Sequence, residues 1–313
     1  MPYKVILDVD TGTDDAVALM CAALHPDLQL IAATTVNGNV QVEYCTENTL
    51  RVFDHIGVQL PVYEGMSKPL VRDDFPEPNR RSTSIHGRYL DIPASHSTKQ
   101  DQPAVDFLLD TYRVPSDTIL IPVGPLTNIA AALQRDPGIA KNIPALILMG
   151  GGHEVGNTTP SAEFNIWADP EAARVVFASG IPKITVVPLD ATHRALVSSD
   201  DCARLRSLNT PAATAAAIFV ERRIEGYRVT YGEHANAAPV HDALAVLAVV
   251  DPSVLQNVVH VFVDVETKGE LTVGRTVLDT HNRLHQPPNA YVALDADQAR
   301  FVELLIATLG RTV

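Results

Sequence analysis

Hydrophobic positions along this chain fall into short continuous runs, separated by stretches in which they recur every three or four residues. Tyr3–Val9, Leu28–Val36, Thr118–Val123, Ala145–Met149 and Lys183–Val187 are apolar almost throughout, the pattern of strands buried on both faces. Between them, Asp14–Leu24, Val42–Ile56, Ala104–Tyr112, Asn128–Arg135 and Pro170–Ala178 read as helices. In the first of these, Ala16, Leu19, Met20, Ala23 and Leu24 repeat at the spacing of one helical face. Strands alternating with helices predict an α/β fold, Rossmann-like, with a mainly parallel central sheet covered by helices on both faces. The later part differs. Ala212–Tyr231 reads as one long helix and His241–Val250 as another; Val258–Glu266 and Glu270–Leu278 read as strands turning at Gly269, which predicts an antiparallel edge, and Ala296–Leu309 closes the chain as a helix. No internal repeat and no low-complexity linker divides the 313 residues, so residues 1–313 read as a single domain.

Charge narrows the partners. A formal net charge of −13 argues against nucleic acid or an anionic membrane surface and leaves a small molecule. Cys21, Cys45 and Cys202 are odd in number and scattered, as expected for reduced thiols in a cytoplasmic protein. The chain starts directly in a strand without an apolar leader, and runs such as Ala243–Val250 are too short to span a bilayer.

The chemistry concentrates first at Val5–Ala16, VILDVDTGTDDA, where a buried strand, a turn at Gly12 and a helix start bring Asp8, Asp10, Asp14 and Asp15 within eight residues. Capping and the helix dipole account for Asp14 or Asp15 taken alone. They do not cover Asp10 at the strand end, and carboxylates so close repel unless a cation neutralises them. Oxygen ligands alone suit a hard ion, Ca²⁺ or Mg²⁺.

Ligands in parallel sheets bind beyond the carboxyl ends of the strands. Four such ends carry unusual chemistry here: Asp10; Asn37-Gly38-Asn39; Gly124-Pro125-Leu126-Thr127-Asn128; and Gly150-Gly151-Gly152 with the following Asn157, Glu163 and Asn165. Amides and carboxylates with few cations among them suit a polyhydroxylated ligand better than a phosphate. His241-Asp242 opens an apolar helix; Asp242 reads as a cap in isolation, and together the pair offers a metal ligand beside a proton donor. The Pro-rich segment Lys68–Gln102, holding His86 and His96, reads either as a mobile excursion or as an active-site flap. EF-hand, Walker A, GxGxxG and HExxH patterns all fail on spacing. His281 and His285, four apart, sit in a polar loop.

These residues resemble the inosine–uridine preferring nucleoside hydrolases. The resemblance rests on DVDTGTDDA (Asp8–Ala16), TTVNGN (Thr34–Asn39), PVGPLTN (Pro122–Asn128), LMGGG (Leu148–Gly152), GNTTPSAEFNIWADPEAA (Gly156–Ala173) and PVHDALAV (Pro239–Val246), in order along nearly the whole chain. It implies a nucleoside hydrolase fold and cleavage of the N-glycosidic bond of ribonucleosides in nucleoside salvage. It implies one Ca²⁺ per subunit, held by Asp10, Asp15, Asp242 and the carbonyl of Val123. Asp14, Asn157, Glu163 and Asn165 would grip the ribose, with Asn39 nearby and Met149 and Phe164 lining the pocket. His241 would protonate the departing base, His86 would pack near that base, and Tyr227 and Tyr231 fall on the helix that borders it. Asp10 is placed to take a proton from the attacking water. Homodimers or homotetramers are the implied assemblies. After His86-Gly87 the chain departs from the family: Arg88-Tyr89-Leu90 replaces a glycine-rich continuation.

Two other readings compete. A haloacid-dehalogenase-like phosphatase also opens with a strand and DxD, but Gly12 stands where Thr or Val is expected and no downstream Gly-Asp occurs. A non-catalytic nucleoside or ribose sensor would need fewer ionisable groups than Asp10, Glu163, His241 and Asp242 supply.

Overall fold

The computed structural model describes residues 1–74, 86–232 and 235–312. Its centre is an eight-stranded sheet in the order β3-β2-β1-β4-β5-β6-β12-β9. The strands are β1 (Tyr3–Val9), β2 (Leu28–Thr35), β3 (Val62–Glu64), β4 (Ile119–Pro122), β5 (Leu146–Met149), β6 (Ile184–Val187), β9 (Leu255–Val261) and β12 (Ala290–Ala296). Every pairing is parallel except that of β9 with β12.

Side-chain alternation along the central strands divides the core. Val5, Leu7 and Val9 of β1, with Ile147 and Met149 of β5, point to one face. There they meet α1 (Thr13–Leu24), α2 (Val42–Ile56), α9 (Pro211–Tyr231), α10 (His241–Val250) and α11 (Gln298–Leu309). Ile6 of β1, with Leu146 and Leu148 of β5, points to the other. That layer holds α3 (Ala104–Thr111), α4 (Thr127–Arg135), α5 (Phe164–Ala168) and α6 (Pro170–Phe177). Strands apolar on both sides therefore need helices on both sides, as the pattern predicts. α10 is apolar all round and packs along α1 in the interior.

The remaining elements are short: α7 (Leu189–Thr192), β7 (Leu196–Ser198), α8 (Ser199–Ser207), β8 (Ala237–Pro239), β10 (Val263–Val265) and β11 (Thr276–Leu278). Here the sequence reading needs correcting. The expected strand Val258–Glu266 is two strands, β9 in the main sheet and β10 outside it. β10 pairs antiparallel with β11 in a separate two-stranded sheet, and Glu270–Arg275 turns instead of extending. The antiparallel edge is made by β9 against β12, a strand absent from the sequence reading. α11 starts at Gln298, not Ala296, because the Asp297 carboxylate caps it by accepting from Arg300 N–H.

Cys21, Cys45 and Cys202 are all buried, and none is in a disulfide among the described residues. Among the described residues no helix is long and apolar enough to cross a membrane.

Candidate active site

Seven strands of the main sheet run parallel and end on one rim, and the polar residues collect beyond five of them. β1 runs out at Val9 and the chain turns at Gly12, so α1 begins with Thr13, Asp14 and Asp15. Asp15 folds back on that turn, accepting from Gly12 N–H (2.9 Å), Asp10 N–H (3.1 Å) and the Asn39 amide (3.2 Å). The Asp10 carboxylate accepts from Asn39 N–H at 2.6 Å. A side chain at Gly38 would fall on that carboxylate, so glycine is required there. Asp242, in the first turn of α10, brings the other end of the chain to the same place. Carboxylate oxygens of Asp14, Asp15 and Asp242 lie within 4.8 Å of one another, and all three residues are buried.

Electrostatics shows that this cluster suits a cation. Burial, aided by the Asp14 charge, raises Asp15 to about 7. Burial, with the neighbouring carboxylates, holds Asp10 and Asp242 well above the usual range. Several acids crowded into a dry site, with an all-oxygen donor set, fit a hard divalent ion. Asp8 does not belong to the cluster. It shares the face of Ile6, takes hydrogen bonds from Asn128 (2.7 Å) and Thr34 (2.5 Å), and is raised by burial to about 7.

The β4 and β5 ends supply the next wall. Asn165 donates to the Val123 carbonyl (2.7 Å) and the Met149 carbonyl (3.1 Å), bridging the two strand ends. Glu163 caps α5 and accepts from Gly151, Asn165 and Ile166 N–H at 2.8, 2.9 and 3.2 Å. Burial outweighs these three bonds and places its carboxyl at about 7. Asn157 accepts from Phe164 N–H at 3.0 Å, which ties the loop after β5 to α5, and the half-buried Phe164 ring lies 6.5 Å from Trp167.

Histidines form the third wall. His86 lies over the Gly12 turn, its Nδ1 accepting from Thr13 N–H at 2.9 Å. Burial lowers its pKa to about 4, so the ring is neutral and its 3.7 Å approach to Asp14 is not an ion pair. A Cβ on Gly12 would strike the His86 ring. Gly12→Ala is therefore expected to keep the fold, displace His86 and return its pKa toward ~6.5. NMR titration of the ring reads this, and an unchanged low pKa would show that Thr13 does not hold it. His96, the other histidine of that segment, sits exposed against Asp54 of α2. Residues 75–85 of the expected flap lie outside the described residues. His241 Nδ1 is 2.7 Å from the Thr192 hydroxyl, and its Nε2 is 3.3 Å from the Tyr227 hydroxyl. The Tyr231 side chain lies outside the described residues.

Three residues here escaped the sequence reading. Thr192 and His193 follow β6, a further strand ending on the rim, and that position was the available signal. The His193 ring is 5.7 Å from that of His241, and its buried Nε2 has no hydrogen-bond partner among the described residues. Arg223 of α9 is buried against Asp14 at 2.8 Å. The run Glu221-Arg222-Arg223 reads as a solvated face, so nothing local marked it.

The sequence matches the inosine-uridine preferring nucleoside hydrolase family over residues 5–303. It is 39% identical over 322 residues to an inosine-uridine preferring nucleoside hydrolase of Leishmania major, covering 99% of this chain and 98% of that protein. It is 38% identical over 299 residues to the pyrimidine-specific ribonucleoside hydrolase RihB of Escherichia coli, covering 94% and 93%. Among solved structures, a purine-preferring ribonucleoside hydrolase from Gardnerella vaginalis superposes with a TM-score of 0.90 at 34% identity, covering 98% of each chain. With the same fold and a full-length match, the chain belongs to the inosine-uridine preferring nucleoside hydrolase family.

Proposed function

We propose that the protein hydrolyses the N-glycosidic bond of ribonucleosides to ribose and free base, with one Ca²⁺ held by Asp10, Asp15, Asp242 and the Val123 carbonyl. The observation that carries this reading is the convergence of Asp14, Asp15 and Asp242 from opposite ends of a chain of this family, with His241 adjacent in sequence to Asp242. A bound Ca²⁺ would lower the pKa of a water and hold the sugar diol. Asp10 would take the proton of the attacking water. Asp14, Asn157, Glu163 and Asn165 would grip the ribose hydroxyls and hold the sugar in the shape required at the transition state. The departing base would be protonated from the His241 side, with His86 and Tyr227 bordering it. The direct test is reducing-sugar release from a panel of ribonucleosides and deoxyribonucleosides, with and without chelator. Release indifferent to chelator would remove the metal from the reading, and binding without release would leave only a sensor.

The raised carboxyls give the metal a pH signature. Asp15 and Glu163, both at about 7, hold protons in the metal-free fold that the unfolded chain gives up near its ordinary carboxylate range. Their contribution to metal-free stability is full below about pH 4 and is lost as pH rises through 7. A cation held by Asp15 must displace that residue's proton, so its affinity rises with pH. Ca²⁺ is expected to raise the melting temperature more at about pH 8 than at about pH 5.5, reversibly with chelator. Equal gains at both values would reject Asp15 as a ligand of the ion.

A further inference from the structure

Among the described residues, Arg223 is a buried cation in an otherwise acidic pocket, and its guanidinium joins three separate pieces of chain. It projects from α9, where Phe219, Val220 and Ile224 are buried beside it in sequence. Nε donates to the Pro239 carbonyl (2.8 Å), just ahead of His241-Asp242. Nη1 lies 2.8 Å from Asp14 Oδ1 and 3.4 Å from the Thr13 hydroxyl, at the start of α1. The planar fork of arginine holds such a geometry; a lysine point charge does not.

Asp14 presents an ambiguity that this contact resolves. One of its carboxylate oxygens lies within 4.8 Å of a carboxylate oxygen of Asp15 and of Asp242, which are themselves within that distance of each other. By chemistry and distance, Asp14 is as able to join a cation as its neighbours are. It differs from them in the ion pair it makes. Oδ1 is paired with Arg223, which anchors the carboxylate. We propose that Arg223 is a positioning residue that assigns Asp14 to the sugar and withholds it from the cation. The proposal rests on the Ca²⁺-dependent hydrolase reading.

Without the guanidinium, Asp14 is released to the cation as an additional anionic ligand. The site then binds cation more tightly and sugar more weakly. The test is Ca²⁺ titration by calorimetry on metal-stripped protein, independent of turnover, alongside steady-state kinetics on a ribonucleoside. Arg223→Met is expected to tighten Ca²⁺ about tenfold and raise KM about tenfold or more, with a smaller fall in kcat. Removing a positive charge alone also favours a cation, so Asp14→Asn and the double variant complete a cycle. Tightening must be much smaller in the Asp14→Asn background, and the KM effects of the two substitutions must not add. Arg223→Lys, which keeps the charge and covers the case of a poorly folded Met variant, is expected to raise KM with an intermediate change in Ca²⁺ affinity.

Equal tightening with and without the Asp14 charge would overturn the proposal, as would a rise in KM with Ca²⁺ affinity unchanged. Parallel loss of cation and sugar binding in both Arg223 variants would make Arg223 a structural brace and also overturn it. Wild-type protein that binds no Ca²⁺ would instead sink the Ca²⁺-dependent reading on which the proposal stands.

Discussion

Asp10→Ala is expected to abolish turnover, and Asp10→Asn to lower kcat/KM by about 10²–10⁴-fold, the range for losing a positioned proton acceptor. The milder substitution is the more informative. The Asp10 carboxylate is held by Asn39 N–H at 2.6 Å, a bond that an asparagine carbonyl keeps. Shape survives while the capacity to take a proton and to neutralise a cation is lost. Folding predicts the opposite sign from catalysis. Asp10 is held well above its ordinary pKa by burial and by the charges of Asp15 and Asp14. Removing that carboxylate relieves repulsion, so metal-free Asp10→Asn is expected to melt no lower than wild type near neutral pH. A stable, inactive variant with weakened Ca²⁺ binding is the outcome expected. Near wild-type rates on every nucleoside would reject Asp10 as base and ligand.

How far this site could be read in advance depended on whether its residues carry a local signal. Asp10, Asp14 and Asp15 sit where a buried apolar strand stops, a place where polar groups need a reason. His241-Asp242 was marked by the apolar helix it opens, and that helix is found as expected at His241–Val250. Arg223 had no such mark. Its burial is created by Asp14, which folding brings from the other end of the chain. Helical pattern along Pro211–Tyr231 places residue 223 in a helix but does not reveal an acid waiting for it. His193 was missed because the rim was read from four strands, although β6 ends there as well.

The fold shows the same division. β1, α2 and α10 run from the first to the last residue expected, since their apolar patterns are long and uninterrupted. β12, AYVALDA, has a single β-branched residue and little local strand preference. It is a strand because a slot between β6 and β9 is filled by it, pairing Tyr291 with Thr185 on one side and with His260 on the other. The Tyr291 ring stacks on His260 at 4.1 Å across that antiparallel edge. Likewise the run read as Val258–Glu266 divides at Phe262, where the chain leaves the main sheet to pair with β11. Tertiary slots of this kind leave no period in the sequence.

The second large effect expected is a selective one at His241. Nδ1 faces the Thr192 hydroxyl at 2.7 Å, and that hydroxyl is directed toward the Leu189 carbonyl at 3.5 Å. The chain of donors places the ring proton on Nδ1 and leaves the Nε2 lone pair toward Tyr227. Burial, with Arg223, His193 and His86 close by, holds the pKa well below 6.5, so the resting ring is neutral. Once Nε2 takes up a proton from solvent, the same ring is a strong acid beside the leaving base. A purine or pyrimidine anion needs that proton; a nitrophenolate does not. His241→Ala is therefore expected to slow inosine by about 10²–10⁴-fold and to leave cleavage of a nitrophenyl riboside within about tenfold of wild type. Tyr227→Phe should show the same selectivity at smaller size, because it removes the hydroxyl facing Nε2 and leaves the imidazole in place. Equal losses on both substrates would mean that His241 shapes the pocket without delivering the proton. Selective loss on the poor leaving group identifies proton delivery, since a defect in holding the shared ribose acts on both substrates alike.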